Sequence, residues 1–194
     1  EWSKESLLEN SISKNKFYDK KENPIAVSNL FKQPKLAKTL FLISRKGKEA
    51  FYEGEIAKWI EEDSLNNGGL ITLEDLAAYE AKERKPISID YRGYEIVSMA
   101  PVASGGLVLL QIMSILENFD LKTLGPNSAE TVHLLSESMQ RAYADRARYH
   151  GDPDYYDVPI KKLLSKDYLK ERSKSITKSR TEDGKIYAGD MSKV

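Results

Sequence analysis

Residues 87–116 have the sequence ISIDYRGYEIVSMAPVASGGLVLLQIMSIL, and this stretch decides the fold class. Apolar and polar residues alternate from Ile87 to Tyr91, as they do in a half-buried β-strand. Arg92-Gly93 can form a turn, and a second extended run leads from Ile96 to Met99. The pattern therefore predicts a β-hairpin.

A helix that belongs in a protein core follows the hairpin. Ser104-Gly105-Gly106 opens it, and the residues from Leu107 to Leu116 are apolar on nearly every side. The two glycines favour close packing where the helix begins. Free backbone amides at this point could instead bind an anion, but the motif is shorter than a phosphate-binding loop.

Further helices are predicted on both sides of this stretch, after a polar segment, residues 1–29, that indicates a weak helix and a loop. Before the hairpin, a helix from Leu36 stops near Gly47, an acidic helix through Phe51, Ile56, Ala57 and Ile60 ends at residues 66–69, and Thr72 caps a short helix. After the predicted helix at residues 107–116, a long amphipathic helix begins at about Ser128 and has Val132, Leu135, Met139 and Ala142 on one face. A basic helix then extends from Ile160 to Ile176. The fold class is thus α+β, mostly helical with one β-hairpin. Because two strands are not stable alone, the hairpin either packs on the helices or joins strands from polypeptide outside this chain.

The composition excludes several classes of protein. The 194 residues suffice for one domain, and Lys plus Arg equal Asp plus Glu at 30 each, so no overall charge favours nucleic acid or an anionic membrane. The longest apolar run, Leu107 to Met113, is too short to span a bilayer. The absence of cysteine excludes disulfides, thiolate zinc sites and a cysteine nucleophile, but leaves the compartment open.

Charge is uneven along the chain. Ten acidic residues and two lysines lie between Glu49 and Glu83, whereas eight basic and two acidic residues lie between Lys161 and Arg180. We interpret these segments as solvated helix faces rather than as surfaces for partners.

The residue types that carry chemistry do not form a recognisable active site. His133 and His150 are far apart in sequence and lack acidic residues at ligand spacing, so His133 is interpreted as a hydrogen-bonded helix histidine. Residues 151–154, Gly-Asp-Pro-Asp, begin like a calcium loop, but no bidentate glutamate follows and we interpret them as a turn. The chain also lacks a Gly-x-Ser-x-Gly motif.

Asp145 and its neighbour Arg146 lie near the end of the long amphipathic helix. Asp145 is four residues after Arg141 and three before Arg148, which predicts ion pairs along the helix. We interpret Asp145 as a structural anchor of the junction at residues 151–154 rather than as a catalytic group.

Nine short motifs follow one another in the chain: Phe51-Tyr52-Glu53-Gly54, Gly68-Gly69-Leu70-Ile71-Thr72-Leu73-Glu74-Asp75-Leu76, Tyr91-Arg92-Gly93-Tyr94, Ser104-Gly105-Gly106, Ser128-Ala129-Glu130-Thr131, Tyr143-Ala144-Asp145-Arg146, Gly151-Asp152-Pro153-Asp154, Asp157-Val158-Pro159 and Leu164-Ser165-Lys166-Asp167-Tyr168. In this order they resemble the large subunit of γ-glutamyltranspeptidases. Residues 33–40 resemble the helix just upstream in that family. Each motif is weak alone, but the series covers about residues 30–175.

The resemblance implies an N-terminal-nucleophile hydrolase, a four-layer αββα sandwich formed when one precursor cleaves itself. Residues 1–194 would then be the carboxy-terminal part of the large subunit, with 181–194 a flexible tail before the processing site. The family's nucleophile is a threonine at the start of the small subunit, just beyond this chain, and its own amine is the base. Thr177 and Thr181 lack the sequence context of that threonine.

The same resemblance places the family's substrate-binding residues outside the chain, in the small subunit and upstream of Glu1. No residue here is therefore assigned a catalytic, substrate-binding, cofactor-binding or metal-binding role, and no cofactor is implied. The partners implied are the small subunit from the same precursor and glutathione or other γ-glutamyl compounds. An extracellular or periplasmic location is implied as well, and the fragment alone is expected to be inactive.

One departure from the family lies at residues 99–106, which read Met-Ala-Pro-Val-Ala-Ser-Gly-Gly. The family usually has a proline-rich run with two serines before the glycines, so the difference favours altered substrate preference. The alternatives are a relative that acts on poly-γ-glutamate or on a β-lactam side-chain amide, and a non-catalytic helical interaction module.

Overall fold

A computed structural model describes residues 3–182 and 184–193. The chain divides into two compact units that meet in sequence between Ala81 and Lys82, although its length required only one domain. The first unit contains the helices α1 (Lys4–Glu9), α2 (Ser11–Phe17), α3 (Pro34–Lys46), α4 (Lys48–Tyr52), α5 (Glu55–Asn66) and α6 (Leu73–Ala77).

The helices of the first unit confirm most of the sequence pattern, with one break. α3 ends at Gly47 as predicted, and Thr72 and Asp75 form a capping box at the start of α6. The predicted acidic helix is instead two helices, α4 and α5, separated at Gly54. The backbone of Gly54 approaches α4 so closely that a Cβ there would lie 3.0 Å from the Ala50 Cα. The apolar stripe continues across this break and therefore does not reveal it.

The second unit contains the strands β1 (Ile87–Tyr91) and β2 (Tyr94–Ser98), the helices α7 (Ser104–Leu116), α8 (Leu121–Leu124), α9 (Ala129–Tyr149), α10 (Ile160–Leu163) and α11 (Lys166–Lys174), and a 3-10 turn at Met191–Lys193. The predicted hairpin is confirmed, with Ile89 opposite Ile96 in an antiparallel register. Arg92 and Gly93 form the turn with positive φ angles of 53° and 85°, as a tight two-residue hairpin turn requires.

The core of the second unit forms around α7, which contacts β1, β2, α9 and α11. Leu107 and Ile115 of α7 pack with Val158, Leu163, Tyr168 and Leu169 in one buried cluster. The hairpin thus packs on helices, which is the first of the two possibilities left by the sequence. The prediction that α7 is a core helix is confirmed, although Leu109 remains 47% exposed.

Two predicted helices of the second unit differ in detail from the structure. The basic helix is divided into α10 and α11, because the Ser165 hydroxyl accepts a hydrogen bond from the Tyr168 amide and so begins a new helix. On α9, only Ala142 of the predicted apolar stripe is buried, whereas Val132, Leu135 and Met139 are exposed.

Gly106 explains why glycines open α7. A Cβ on Gly106 would lie 2.0 Å from the Met99 carbonyl oxygen, so the helix can pass the end of β2 only if this residue has no side chain. A Cβ on Gly105 would meet nothing within 4 Å. The packing interpretation of the two glycines is therefore confirmed at Gly106.

We expect Gly106→Ala to destabilise the protein by roughly 1–3 kcal/mol, as overpacking does, because the contact is with backbone that has to move. Gly105→Ala is the matched control, and it should be neutral or stabilise the helix by up to about 1 kcal/mol. Chemical denaturation of both variants measures the difference. Equal free energies of unfolding would contradict the close approach.

Candidate functional site

The buried face of α9 is polar and holds the candidate site. Glu137, Arg141 and Asp145 are four residues apart, which places all three on one side of the helix. All three side chains are buried, and Asp145 is fully so. Buried charges are costly unless paired, so each of them needs partners from elsewhere in the fold.

Glu137 binds the chain beyond α11. Its carboxylate accepts hydrogen bonds from the Thr181 amide at 2.8 Å and the Thr181 hydroxyl at 2.7 Å, and it pairs with Arg141 Nη1 at 2.6 Å. Arg141 also donates to the hydroxyl and the carbonyl oxygen of Ser175. Burial raises the pKa of Glu137, but the bonds from Thr181 and Arg141 lower this pKa more, so it lies below its ordinary value. The group is therefore a carboxylate at neutral pH.

Asp145 binds three different segments. Its Oδ1 accepts the Gly189 amide at 2.8 Å and lies 3.1 Å from Arg172 Nη2, and its Oδ2 accepts from Gln111 Nε2 at 3.1 Å. This side chain therefore connects α7, α9, α11 and the chain near residue 189.

The predicted pairing of Asp145 with Arg141 and Arg148 is wrong. Arg141 pairs with Glu137, four residues before it, and the Arg148 guanidinium lies 5.7 Å from the centre of the Tyr149 ring. The partner of Asp145 is Arg172 from α11. Spacing along one helix could not reveal this pair, because Arg172 comes near Asp145 only after α11 packs against α7.

Gly189 is held on both sides of its backbone. Tyr149 donates its hydroxyl hydrogen to the Gly189 carbonyl oxygen at 2.6 Å, while the Gly189 amide binds Asp145. A Cβ on Gly189 would lie 2.3 Å from the hydroxyl oxygen of Tyr168, so only glycine fits. Burial, and next the nearby Asp145 charge, raise the pKa of Tyr168, which keeps its hydroxyl neutral.

We call residues 181–182 and 184–190 the tail, and the side chains of Glu137, Asp145, Tyr149 and Arg172 the clamp. Arg172 belongs to the clamp because it donates to the Tyr187 carbonyl oxygen at 3.0 Å in addition to pairing with Asp145. The flexibility of residues 181–194 stays a prediction. What the structure shows is contacts to α9 at Thr181 and Gly189.

The two histidines lie at opposite ends of α9, about 25 Å apart at the rise of an α-helix. His133 Nε2 lies 2.7 Å from the Thr177 carbonyl oxygen, which confirms a hydrogen-bonded helix histidine. Burial and then the Arg146 charge lower the pKa of His150, and neither ring nitrogen has a hydrogen-bond partner among residues 3–182 and 184–193. No group of three His, Asp or Glu side chains suited to a metal occurs in that same part of the chain.

The remaining predicted residues have structural contacts. Arg146 Nε donates to the Ser104 hydroxyl at 2.7 Å, which connects α9 to the start of α7. Residues 151–154 form the predicted turn, in which Asp152 accepts from the Asp154 amide and Asp154 pairs with Lys82 and Arg84. In the described part of the chain, neither histidine ring is hydrogen-bonded to a serine or threonine hydroxyl. The arrangement holds the backbone of the chain after α11 against α9.

Comparisons with known proteins agree with the fold and with the motif order. A family model described as Gamma-glutamyltranspeptidase matches residues 1–193. The glutathione hydrolase proenzyme of Escherichia coli K12 is 46% identical over 164 residues, which are 84% of this chain and 28% of that protein. The acylase ACY 1 proenzyme of Pseudomonas sp. SE83 is 41% identical over 140 residues, which are 72% of this chain and 25% of that protein.

The γ-glutamyltranspeptidase of Helicobacter pylori has a closely similar structure, with a TM-score of 0.90 and 42% identity. The match covers 96% of this chain and 54% of that one. The chain spans about a quarter of the length of the curated relatives it matches, 28% of the E. coli protein and 25% of the acylase. In the described residues, none of the helices combines the length and apolarity that crossing a membrane requires. The family match extends over nearly the whole chain, and this chain belongs to the γ-glutamyltranspeptidase family.

Proposed function

We propose that this chain is the carboxy-terminal part of the large subunit of an enzyme that transfers or hydrolyses the γ-glutamyl group of glutathione-like compounds. The observation that carries the proposal is the combination of 42% identity and a TM-score of 0.90 with the H. pylori γ-glutamyltranspeptidase over 96% of the chain. The name of the E. coli relative, a glutathione hydrolase proenzyme, supports the substrate class and a precursor.

The nucleophile in this proposal is a threonine at the start of a small subunit made from the same precursor. Its hydroxyl oxygen attacks the γ-carbonyl carbon, the amine of the donor leaves, and an ester to the enzyme remains. Water or an acceptor amine then takes the γ-glutamyl group and restores the hydroxyl. The role of this chain is structural: it supplies the helical part of the fold and the tail that leads toward the small subunit.

An exposed apolar face on α9 supports a partner from the same precursor. Val132, Leu135, Met139 and Tyr143 follow one another at helical spacing, and each is at least two-fifths exposed. Contiguous apolar residues of this kind mark surfaces that another polypeptide covers. We assign this face to the remainder of the precursor.

A β-lactam side-chain amide is a second candidate substrate. The observation that favours it is the 41% identity to the acylase ACY 1 proenzyme. The unusual sequence at residues 99–106 agrees with altered preference. Comparing rates on a γ-glutamyl anilide and on a cephalosporin side-chain amide, with the same preparation of complete protein, decides between the two.

The isolated chain should release no product from a chromogenic γ-glutamyl anilide, because in this proposal the nucleophilic threonine belongs to the small subunit. The complete protein, assayed in parallel, should cleave itself and release product. Activity of the isolated chain that survives repurification would refute the assignment of the nucleophile. A complete protein that stays uncleaved and inactive, with no threonine-led strand after Val194, would favour the non-catalytic module.

A further inference from the structure

The clamp side chains of α9 hold the tail at two points, Thr181 and Gly189, and Arg172 of α11 holds it at Tyr187 between them. At the first point, a single carboxylate, Glu137, accepts both the amide and the hydroxyl of Thr181. At the second point, the amide of Gly189 binds Asp145 and its carbonyl oxygen binds Tyr149. A peptide bound through both its donor and its acceptor has a defined orientation as well as a defined position.

The free-energy cost of burying the charges of the clamp indicates that holding the tail is a function of this face of α9. Glu137 and Asp145 are each almost fully buried, and a buried charge is stabilising only when all its partners are in place. The tail supplies two of the bonds to Glu137 and one of those to Asp145. Helix α9 would be simpler to bury with apolar residues at these positions, so the polar face serves the tail rather than the packing of α9 alone.

We infer that Glu137, Asp145, Tyr149 and Arg172 are positioning residues for self-cleavage of the precursor, because they fix the tail and with it the direction in which the chain continues. The inference rests on the proposed function, in which the processing site follows this chain. Cleavage consumes one water and converts one peptide bond into a carboxylate and an amine. The clamp takes no part in that bond change; it limits where the peptide bond can lie.

Two conservative variants of the complete precursor test the clamp without leaving a buried charge unpaired. Tyr149→Phe removes only the hydroxyl that binds the Gly189 carbonyl oxygen, and Thr181→Val removes the hydroxyl that binds Glu137. Each should slow self-cleavage of folded precursor about tenfold, since one hydrogen bond to a buried group is lost. Hydrogen exchange of peptides within residues 184–190 should accelerate by a similar factor, and the unfolding temperature should change little.

Matched controls separate positioning from general damage. Thr181→Ser keeps the hydroxyl and should restore the wild-type cleavage rate. Tyr155→Phe removes a hydroxyl from a tyrosine that is 92% exposed, and it should alter neither cleavage nor exchange. Cleavage is followed by intact mass after purification, and only molecules that remain monodisperse are counted.

Wild-type cleavage and exchange in both Tyr149→Phe and Thr181→Val would overturn the inference. So would faster exchange of the tail with an unchanged cleavage rate, because the clamp would then hold the tail without directing cleavage. A wild-type precursor that never cleaves overturns the proposed function and the role in cleavage together. The exchange measurement still decides in that case whether the clamp holds the tail.

Discussion

In the complete precursor, Asp145→Asn lowers the yield of soluble protein or slows self-cleavage, and molecules that do mature keep near-normal turnover. The reason is the charge that the change leaves behind. Arg172 is only 11% exposed and loses its anionic partner. A neutral amide that keeps its oxygen on Arg172 and Gly189 directs its own hydrogens toward the amide nitrogen of Gln111, which is itself a donor. Breaking a buried pair in this way costs about 3–5 kcal/mol, a large part of the stability of a typical domain.

Asp157→Asn is the matched control for this variant, because the same chemical change is made at an exposed residue 12 positions away. It should express, unfold and cleave like the wild type. Three measurements on both variants suffice: soluble yield, the fraction cleaved with time, and turnover per cleaved molecule. A stable, fully cleaved Asp145→Asn enzyme whose turnover has fallen a hundredfold, about 3 kcal/mol in the barrier, would place Asp145 in the reaction instead.

The β-hairpin and α7 could be predicted from the sequence because neighbouring residues specify each of them. The alternation from Ile87 to Tyr91 and the Arg92-Gly93 turn predicted the hairpin, and the unbroken apolar run predicted α7. The breaks at Gly54 and Ser165 were missed for a common reason. Apolar periodicity continues through both breaks. The break at Gly54 depends on the close approach of its backbone to Ala50, and the break at Ser165 depends on its side-chain cap.

The candidate site could be predicted only in part. Asp145 was predicted to have arginine partners and does pair with an arginine, but that arginine lies in another helix, and the role of Asp145 as an anchor of residues 151–154 stays a prediction. Arg172 belongs to the basic segment interpreted as a solvated face, and it is the one base between Lys161 and Arg180 that turns inward. Glu137 was missed, although its spacing of four from Arg141 offered a signal. The residues around Thr181 and Gly189 form no sequence pattern that indicates their contacts with α9.

The buried side of α7 supports a last prediction, that Leu110→Asp prevents the complete protein from folding. Leu110 has no exposed surface, and α7 contacts β1, β2, α9 and α11, so a carboxylate at this position would have no access to water. An unpaired charge in such surroundings costs several kcal/mol, to which the lost burial of leucine adds about 2–5 kcal/mol. The sum is comparable with the total stability of roughly 5–15 kcal/mol that a domain has.

Two controls distinguish the effect of charge from the effect of position. Leu110→Met keeps the volume and should cost less than about 1.5 kcal/mol, with soluble protein at near-normal yield. Leu70→Asp introduces the same charge at a leucine that is 88% exposed, and it should leave folding unchanged. Soluble yield and the unfolding temperature measure all three variants. If Leu110→Asp matched Leu70→Asp in both, α7 would not be the core helix of the second unit, and the arrangement of strands and helices around it would be wrong.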